Sequence, residues 1–345
     1  MSKIGSTDRR SLLRGAGALS LGLAAPSLVL PTSAAAANAF PSQPVEILIG
    51  SSAGGGTDRS ARLIGPPWAK EMGGEQPVKF TNMKGASGVI AMIHMLRSKA
   101  DGHTLQYFPV THVAWLFELA KVKGYSFDDI SWIGAMFSDP NVLLVKKDAK
   151  WNSIDEFIKE ARKSRFPFTV SVSTPMSAAH AATVLLRERT GANLKAVAFG
   201  GGSGARNAVA GGHVTACLAP YWSALHVFEL TKAIGIFQPK NPAPNLWTPV
   251  PVNDVLDVEM PNLEEPYAMY CATAVKKENP DRFAKMVSTW GQATKSESFM
   301  KSAKVQNLTP FLKEMDGDAC TKFMNDYLAM LAEIKPAMEA DLQNM

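Results

Sequence analysis

Long apolar runs are missing from most of this 345-residue chain. Past residue 39 no stretch reaches the roughly 20 apolar residues that a membrane-spanning helix needs. Cysteine is scarce. The spacing of Cys217, Cys271 and Cys320 is wide and fits no metal motif, and an oxidising compartment would permit one disulfide with one thiol left over. All three lie among apolar neighbours, so buried free thiols are the expectation. Strong charge of one sign is also missing. The formal net charge is +5, but Lys3, Arg9, Arg10 and Arg14 against Asp8 supply +3 of it. The rest of the chain, from Phe40 onward, carries +2. That is too weak for the basic face of a nucleic-acid binder.

The first 39 residues differ from the rest. A basic start with DRRSLLR leads into GAGALSLGLAAPSLVL and then TSAAAANAF. A charged start, a weakly hydrophobic middle and a small-residue cleavage site make an export signal, and the paired arginines suit the twin-arginine route. Pro26 and Pro31 argue against a permanent spanning helix. Residues 1–39 are therefore expected to be an export signal, cleaved after Ala39 to leave Phe40 first in the periplasm.

Beyond the signal, short apolar runs alternate with helical patterns. VEILIG, VKFTN, TLQYF, NVLLV, TVSVS, KAVAF, HVTACLA and AIGIF read as strands. Helical stretches and short loops lie between most of them, which predicts an α/β fold with mainly parallel sheets flanked by helices. Two units are expected: 40–138 plus 248–345 as one domain and 139–247 as the other, with the C-terminal helices packed on the first. Pro66-Pro67 is expected to break the first helix after Ile64. Ser153 with Glu156 predicts a capping box. Met and aromatic residues in the last helices recur at core spacing.

Four turns between a strand and a helix are rich in glycine or hydroxyl groups. They are Gly54-Gly55-Gly56-Thr57, Gly85-Ala86-Ser87-Gly88, Thr174-Pro175-Met176-Ser177 and Gly201-Gly202-Ser203-Gly204. Free backbone N–H groups at a helix start favour an anion, and glycine lets that anion approach closely. Four such turns at strand ends point to a shared cleft. The enzymatic readings of the same residues lack their partners. GGGTDR has no Gly-Lys-Ser/Thr, so it is no P-loop. The dinucleotide pattern at Gly200 to Ala205 lacks its acid on the next strand, where Ala219-Pro220 stand. Ser203 near a nucleophile elbow would need a histidine oriented by an acid, and His213 and His226 show none. His226 with Glu229 falls short of a metal site, and His94, His103 and His112 are scattered. No catalytic residue, metal or cofactor is expected.

These residues, taken in order, resemble the extracytoplasmic solute receptors of the tripartite tricarboxylate transporters, the Bug or TctC-like receptors. FPSQPVEILIGSSAGGGTDRSARL is similar to that family's opening strand, glycine loop and helix. TNMKGASGVIA is similar to its second loop. ADGHTLQY, Thr111-His112 and SDPNVLLV follow in register. SVSTPMSAAHAA resembles the segment whose hydroxyl turn precedes a helix with histidine, here His180. AFGGGSGARNAVAGGHV resembles the Tyr-Lys-Gly loop and the Gly-Gly turn after it. Departures are Ser52-Ala53 for a proline, Met83 for an arginine, Phe199-Gly200 for Tyr-Lys, and Thr215 and Ala219 for acids.

The resemblance implies a monomeric two-domain flytrap, the periplasmic-binding-protein fold, closing on a small carboxylate without chemistry. It implies a transporter with one large and one small integral membrane subunit as partner. Gly54 to Asp58 would then form half of a carboxylate clamp. Pro220-Tyr221-Trp222 suggest an aromatic wall, with Trp222 or Tyr221 stacked on an apolar or aromatic ligand body. Arg206 could pair a second carboxylate. Two other readings stay open: a binder of an amino acid or oxyanion, with Asp58 reading an ammonium, and an exported α/β hydrolase using Ser203.

Overall fold

The computed structural model describes residues 40–74, 76–120, 122 and 124–344. The expected export signal at 1–39, its twin-arginine motif and its cleavage site lie outside the described residues.

The chain opens with β1 (Val45–Ile49), α1 (Gly56–Glu71), β2 (Val78–Asn82), α2 (Val89–Arg97), β3 (Thr104–Pro109) and α3 (Val110–Glu118). The long β4 (Ile130–Lys146) comes next. Then come α4 (Ile154–Lys163), β5 (Phe168–Val172), α5 (Ala178–Thr190), β6 (Leu194–Ala198), α6 (Gly202–Ala210), β7 (Ala216–Pro220), the single turn α7 (Tyr221–Ala224) and β8 (Thr231–Ile236). After a long connection come β9 (Glu264–Ala272), α8 (Thr273–Glu278), α9 (Pro280–Ala293), α10 (Glu297–Val305), β10 (Leu312–Met315), α11 (Gly317–Met330) and α12 (Lys335–Gln343).

Two sets of strands share β4. In the first set the order is β2-β1-β3-β9-β4, with β10 also on β4, and β1 runs parallel to both β2 and β3. In the second the order is β4-β7-β5-β6, with β8 also on β4, and β5 runs parallel to β6 and β7. Residues 130–140 of β4 pair with β9, and residues 141–144 pair with β7. The switch falls at Asp139-Pro140-Asn141. Pro140 has no N–H to give to a ladder, so the strand changes partners at it.

Helices cover both sets, because each sheet face is apolar and must be buried. Val170, Val172, Leu185, Leu186 and Leu218 are buried together around the second set, and Ile47, Ile49, Ile64 and Trp68 around the first. Two segments expected with the first set contact the second. Arg162 holds Asp257 (2.9 Å), and Asp341 of α12 meets Arg187 and His180 of α5 at 3.0 and 3.3 Å. The connection before β9 and the last helix thus bind back to the second set, while α11 packs on α3.

Local expectations differ at four places. Helix α1 runs unbroken through Pro66 and Pro67. Pro66 is exposed, and the carbonyl it leaves unpaired belongs to exposed Arg62, where water can reach it. Buried Ile64 and Trp68 pin both halves, and Trp68 donates to Thr289 Oγ1 at 3.0 Å. Packing overrides the loss of a helical bond. The capping box does not form: Glu156 accepts from the Asn152 N–H (2.8 Å) and Ser153 turns to Asp155. WSALHVFELTK, whose apolar pattern predicts a helix, forms one α-turn and then a 3-10 segment, Leu225–Leu230. The last helical stretch divides in two around Leu331, with a 3-10 turn at Ala332–Ile334. Cys217, Cys271 and Cys320 are free and buried.

Candidate functional site

The carboxyl ends of β1, β3, β5, β6 and β7 converge on one small cavity of about 50 Å³. Its wall includes the β1–α1 turn (Gly50 to Ser52 and Gly55 to Thr57), Phe108, Pro109 and His112 from the β3–α3 junction, and Ser173-Thr174 after β5. Gly201, Gly202 and Arg206 from the start of α6, Pro220 and Ser223, and Glu265 and Tyr267 of β9 close it. On this measure a water needs about 10–15 Å³, so the space admits only a few water-sized groups.

The first turn gives backbone and hydroxyls. Gly54 sits at φ +76°, a left-handed conformation that glycine adopts without strain. Its N–H donates to Asp58 Oδ2 at 2.9 Å. Asp58 also accepts from Arg62 Nε (3.0 Å) and Asn82 Nδ2 (2.9 Å). Burial alone would raise the Asp58 carboxyl, but these donors hold it below the usual carboxylate range. Asp58 therefore braces the turn and has no place in the cavity wall. Gly56 must be glycine for a packing reason: a Cβ there would run into Ser223 Oγ.

The turn before α6 behaves differently. Gly202 leaves room for the Arg206 guanidinium, whose Nη1 would lie 2.5 Å from a Cβ at that position. Arg206 is 3% exposed, and its Nε and Nη2 are buried with no hydrogen-bond partner among the described residues. Burial pulls its basicity down, and the nearby Cys217, Tyr267 and Asp139 push it back up. That burial rules out a merely solvated position on the helix surface. Two further cavity atoms lack a partner, Ser51 Oγ and His112 Nδ1. Across the cavity His112 Nε2 meets Thr174 Oγ1 at 3.4 Å. Burial pushes His112 down to about 4, so the ring is neutral near pH 7.

Glu265 on the cavity wall and Asp139 behind it are two acids that the sequence alone did not single out. Asp139 of β4 stands directly opposite Glu265 of β9 in the antiparallel register. Asp139 is buried and accepts from the N–H of Trp222 (2.8 Å), the N–H of Ser223 (2.9 Å) and Ser223 Oγ (2.9 Å). Burial outweighs these bonds and raises it to about 6. Glu265 is 2% exposed, and its one side-chain hydrogen bond among the described residues is a long one from Tyr267 Oη, 3.4 Å. Burial first, and then the Asp139 charge, raise it to about 8.

Of the sequence-derived candidates, Gly55, Gly56, Thr57, His112, Thr174, Gly201, Gly202 and Arg206 share the cavity wall. Gly54 and Asp58 support it from behind. The second loop is not on the wall: Gly88 packs against Gly50, Gly85 and Ser87 are half-buried, and Ala86 is exposed. Thr111 is buried beside the wall, with its hydroxyl unpartnered. Ser177 caps α5 by accepting the His180 N–H (3.1 Å), and His180 turns to Met176 N and Asp341, and neither lies on the cavity wall. Ser203, half-buried, and Gly204, exposed, stand on the first turn of α6 and are not on the cavity wall.

Trp222 needs the firmest correction. Its ring is fully buried against Phe137, its Nε1 donates to Gln306 O (2.7 Å), and Arg59 lies over its outer face at 4.4 Å. Tyr221 is also buried, donating to Ala243 O at 3.0 Å. The aromatic wall of the cavity is Phe108 and Tyr267 instead.

Comparison with known proteins places this architecture. The model of the tripartite tricarboxylate transporter family receptor matches residues 61–337. The chain belongs to that receptor family. The UPF0065 protein of the gbd 5′ region of Cupriavidus necator is 28% identical over 221 residues, covering 62% of this chain and 66% of that relative. The chain spans 53% to 66% of the length of the first curated relatives it matches. Among solved structures, MatC from Rhodopseudomonas palustris with bound malate aligns over 88% of this receptor and 99% of that chain, with TM-score 0.72 and 19% identity. Another R. palustris protein, with adipate, aligns over 88% and 98%, with TM-score 0.70 and 20% identity. These likenesses fix the periplasmic-binding-protein fold. The receptor family binds solutes and carries out no reaction, which removes the hydrolase reading of Ser203.

Proposed function

We propose that this receptor binds a compact aliphatic carboxylate in the cavity between the two strand sets and hands it to a tripartite tricarboxylate-type transporter in the periplasm. One observation carries the reading: a guanidinium, that of Arg206, buried on the cavity wall with two nitrogens lacking partners among the described residues. A buried cation without a partner is costly, and a carboxylate is the group whose geometry matches a guanidinium. The turn at Gly55 to Thr57 supplies N–H groups for the rest of the anion. The small volume and the withdrawal of Trp222 and Tyr221 favour an aliphatic body over an aromatic one. The malate and adipate held by family-like structures are of this class.

Binding works by closure of two lobes. Residues 40–138 form one lobe with most of the C-terminal part. Residues 139–247 form the other, and the connection up to Leu263 moves with it. The chain acts as a monomer, and the large and small membrane subunits read the closed form. An amino acid is disfavoured as ligand, because Asp58 is already saturated by three donors.

A thermal-shift panel of malonate, malate, adipate, aspartate and benzoate tests the reading. Malonate or malate should raise Tm by several degrees at concentrations about a hundredfold above Kd. Benzoate stabilising as much as malate would remove the size argument. A panel with no shift from any acid would remove the carboxylate.

A further inference from the structure

We propose that Glu265 is a neutral carboxylic acid that donates a hydrogen bond to the bound carboxylate beside Arg206, so that the ligand is held by one charged and one uncharged donor. The inference rests on the reading of the cavity as a carboxylate site. It begins in the register. Asp139 and Glu265 face each other across β4 and β9, where paired residues lie about 4.5–5.5 Å apart between Cβ atoms and like charges repel. Asp139 has three donors from α7, so of the two acids it is the one charged near pH 7. Glu265 has only the 3.4 Å bond from Tyr267. Both are buried. Two close carboxyl groups of unequal solvation hold one proton between them, and it resides on the less satisfied partner.

The groups around Glu265 agree. Asp139 on β4 opposes its ionisation, Tyr267 on its own strand weakly favours it, and Arg206 on α6 favours it from across the cavity. Tyr327 of α11 feels the Glu265 charge from the far side. His112, on α3, is neutral near pH 7, and Arg59 of α1 acts on Asp139. The Arg206 charge reaches both acids, but among the described residues it forms no ion pair with either, so its Nε and Nη2 stay available to a ligand. Above about 8 Glu265 loses its proton, and the cavity then presents a carboxylate to a carboxylate.

Two measurements test this. The first needs no ligand: the infrared difference between wild type and E265Q at pH 7. A carbonyl band of a protonated carboxyl, present in wild type and absent from E265Q, is expected. Its absence from wild type would overturn the proposal whatever the ligand is. The second is calorimetric binding of malate, succinate and aspartate from pH 6 to 10. For wild type, affinity for malate or succinate should be flat to about pH 8 and then fall roughly tenfold per pH unit. In E265Q, whose amide also donates, it should stay within a few-fold of the wild-type neutral value across the range, while E265A should bind weakly throughout. Flat wild-type affinity up to pH 10, or aspartate binding preferred and lost in E265Q, would overturn the proposal. The last outcome would make Glu265 an acceptor for an ammonium. If the infrared band is present and no carboxylate binds, the carboxylate reading itself fails and takes the proposal with it.

Discussion

The turn after β1 and the turn before α6 look alike in sequence and do unlike work. Both are glycine runs that start a helix. At Gly54 to Thr57 the acid next in line, Asp58, folds back onto its own turn and leaves the cavity an uncharged wall of N–H groups and hydroxyls. At Gly201 to Gly204 the cation two residues on, Arg206, turns inward through the space that Gly202 leaves, and its Nε and Nη2 have no partner among the described residues. The same backbone device therefore gives recognition by dipoles on one side and by a full charge on the other. Binding strength should divide accordingly. Removing the charge should cost most, crowding the dipolar wall less, and altering the aromatic residue behind it least.

The charged wall breaks most sharply at R206M. Each hydrogen bond to a charged group contributes about 1.5–3 kcal/mol, so malate affinity by calorimetry should fall by about two orders of magnitude or more. Stability should move the other way. Methionine replaces a buried, unpaired cation with an apolar chain of similar length, so the ligand-free Tm should hold or rise. A lower Tm with unchanged malate binding would make Arg206 structural, and the contrast between the two turns would disappear.

What the sequence showed of this site divides along the same line. Turns are local: glycine and hydroxyl residues between a strand and a helix announce themselves, and Gly55 to Thr57, Thr174, Gly201 and Gly202 all fall on the wall. The alternation of strands and helices likewise pointed to the α/β class. The acids were hidden because their meaning is a register. Asp139 and Glu265 matter only as cross-strand partners, and nothing in either segment alone fixes that pairing. A faint signal was available. SDPNVLLV and EEPYAMYCA each place an acid directly before proline inside an apolar strand, where an unpaired acid is costly. Trp222 misled for the opposite reason. An aromatic residue at the carboxyl end of a strand has the right address for a cleft, but the side chain's direction depends on what Phe137 and Gln306 offer it. Pro66-Pro67 misled because Trp68 and Ile64 hold the helix from outside the local sequence.

Crowding the uncharged wall is the next test. In G56A the new methyl meets Ser223 Oγ, which also donates to Asp139. Relieving that contact disturbs a buried carboxylate as well as a turn. Overpacking costs about 1–3 kcal/mol, so Tm should drop by roughly 3–8 °C, with malate affinity down about tenfold. G201A is the matched control on the other turn. Its methyl would lie 2.9 Å from Ser52 Oγ, the end of a half-buried side chain that can rotate away. Its effect on Tm should be well under that of G56A. Equal effects would mean that the two turns carry the same load, which the contacts of Ser223 argue against.

W222F should change least in binding. The ring of Trp222 sits behind the site, between Phe137 and Arg59, and its Nε1 ties α7 to the carbonyl of Gln306 just beyond α10. Phenylalanine keeps the contact with Phe137, loses the hydrogen bond and weakens the cation–π contact with Arg59. Together these contribute about 1–2 kcal/mol, seen as a Tm lower by a few degrees. Malate affinity should stay within twofold, because no atom of the ring reaches the cavity wall. A loss of tenfold or more in affinity for malate or benzoate, with Tm unchanged, would put Trp222 back against the ligand and would make the second wall aromatic as well as charged.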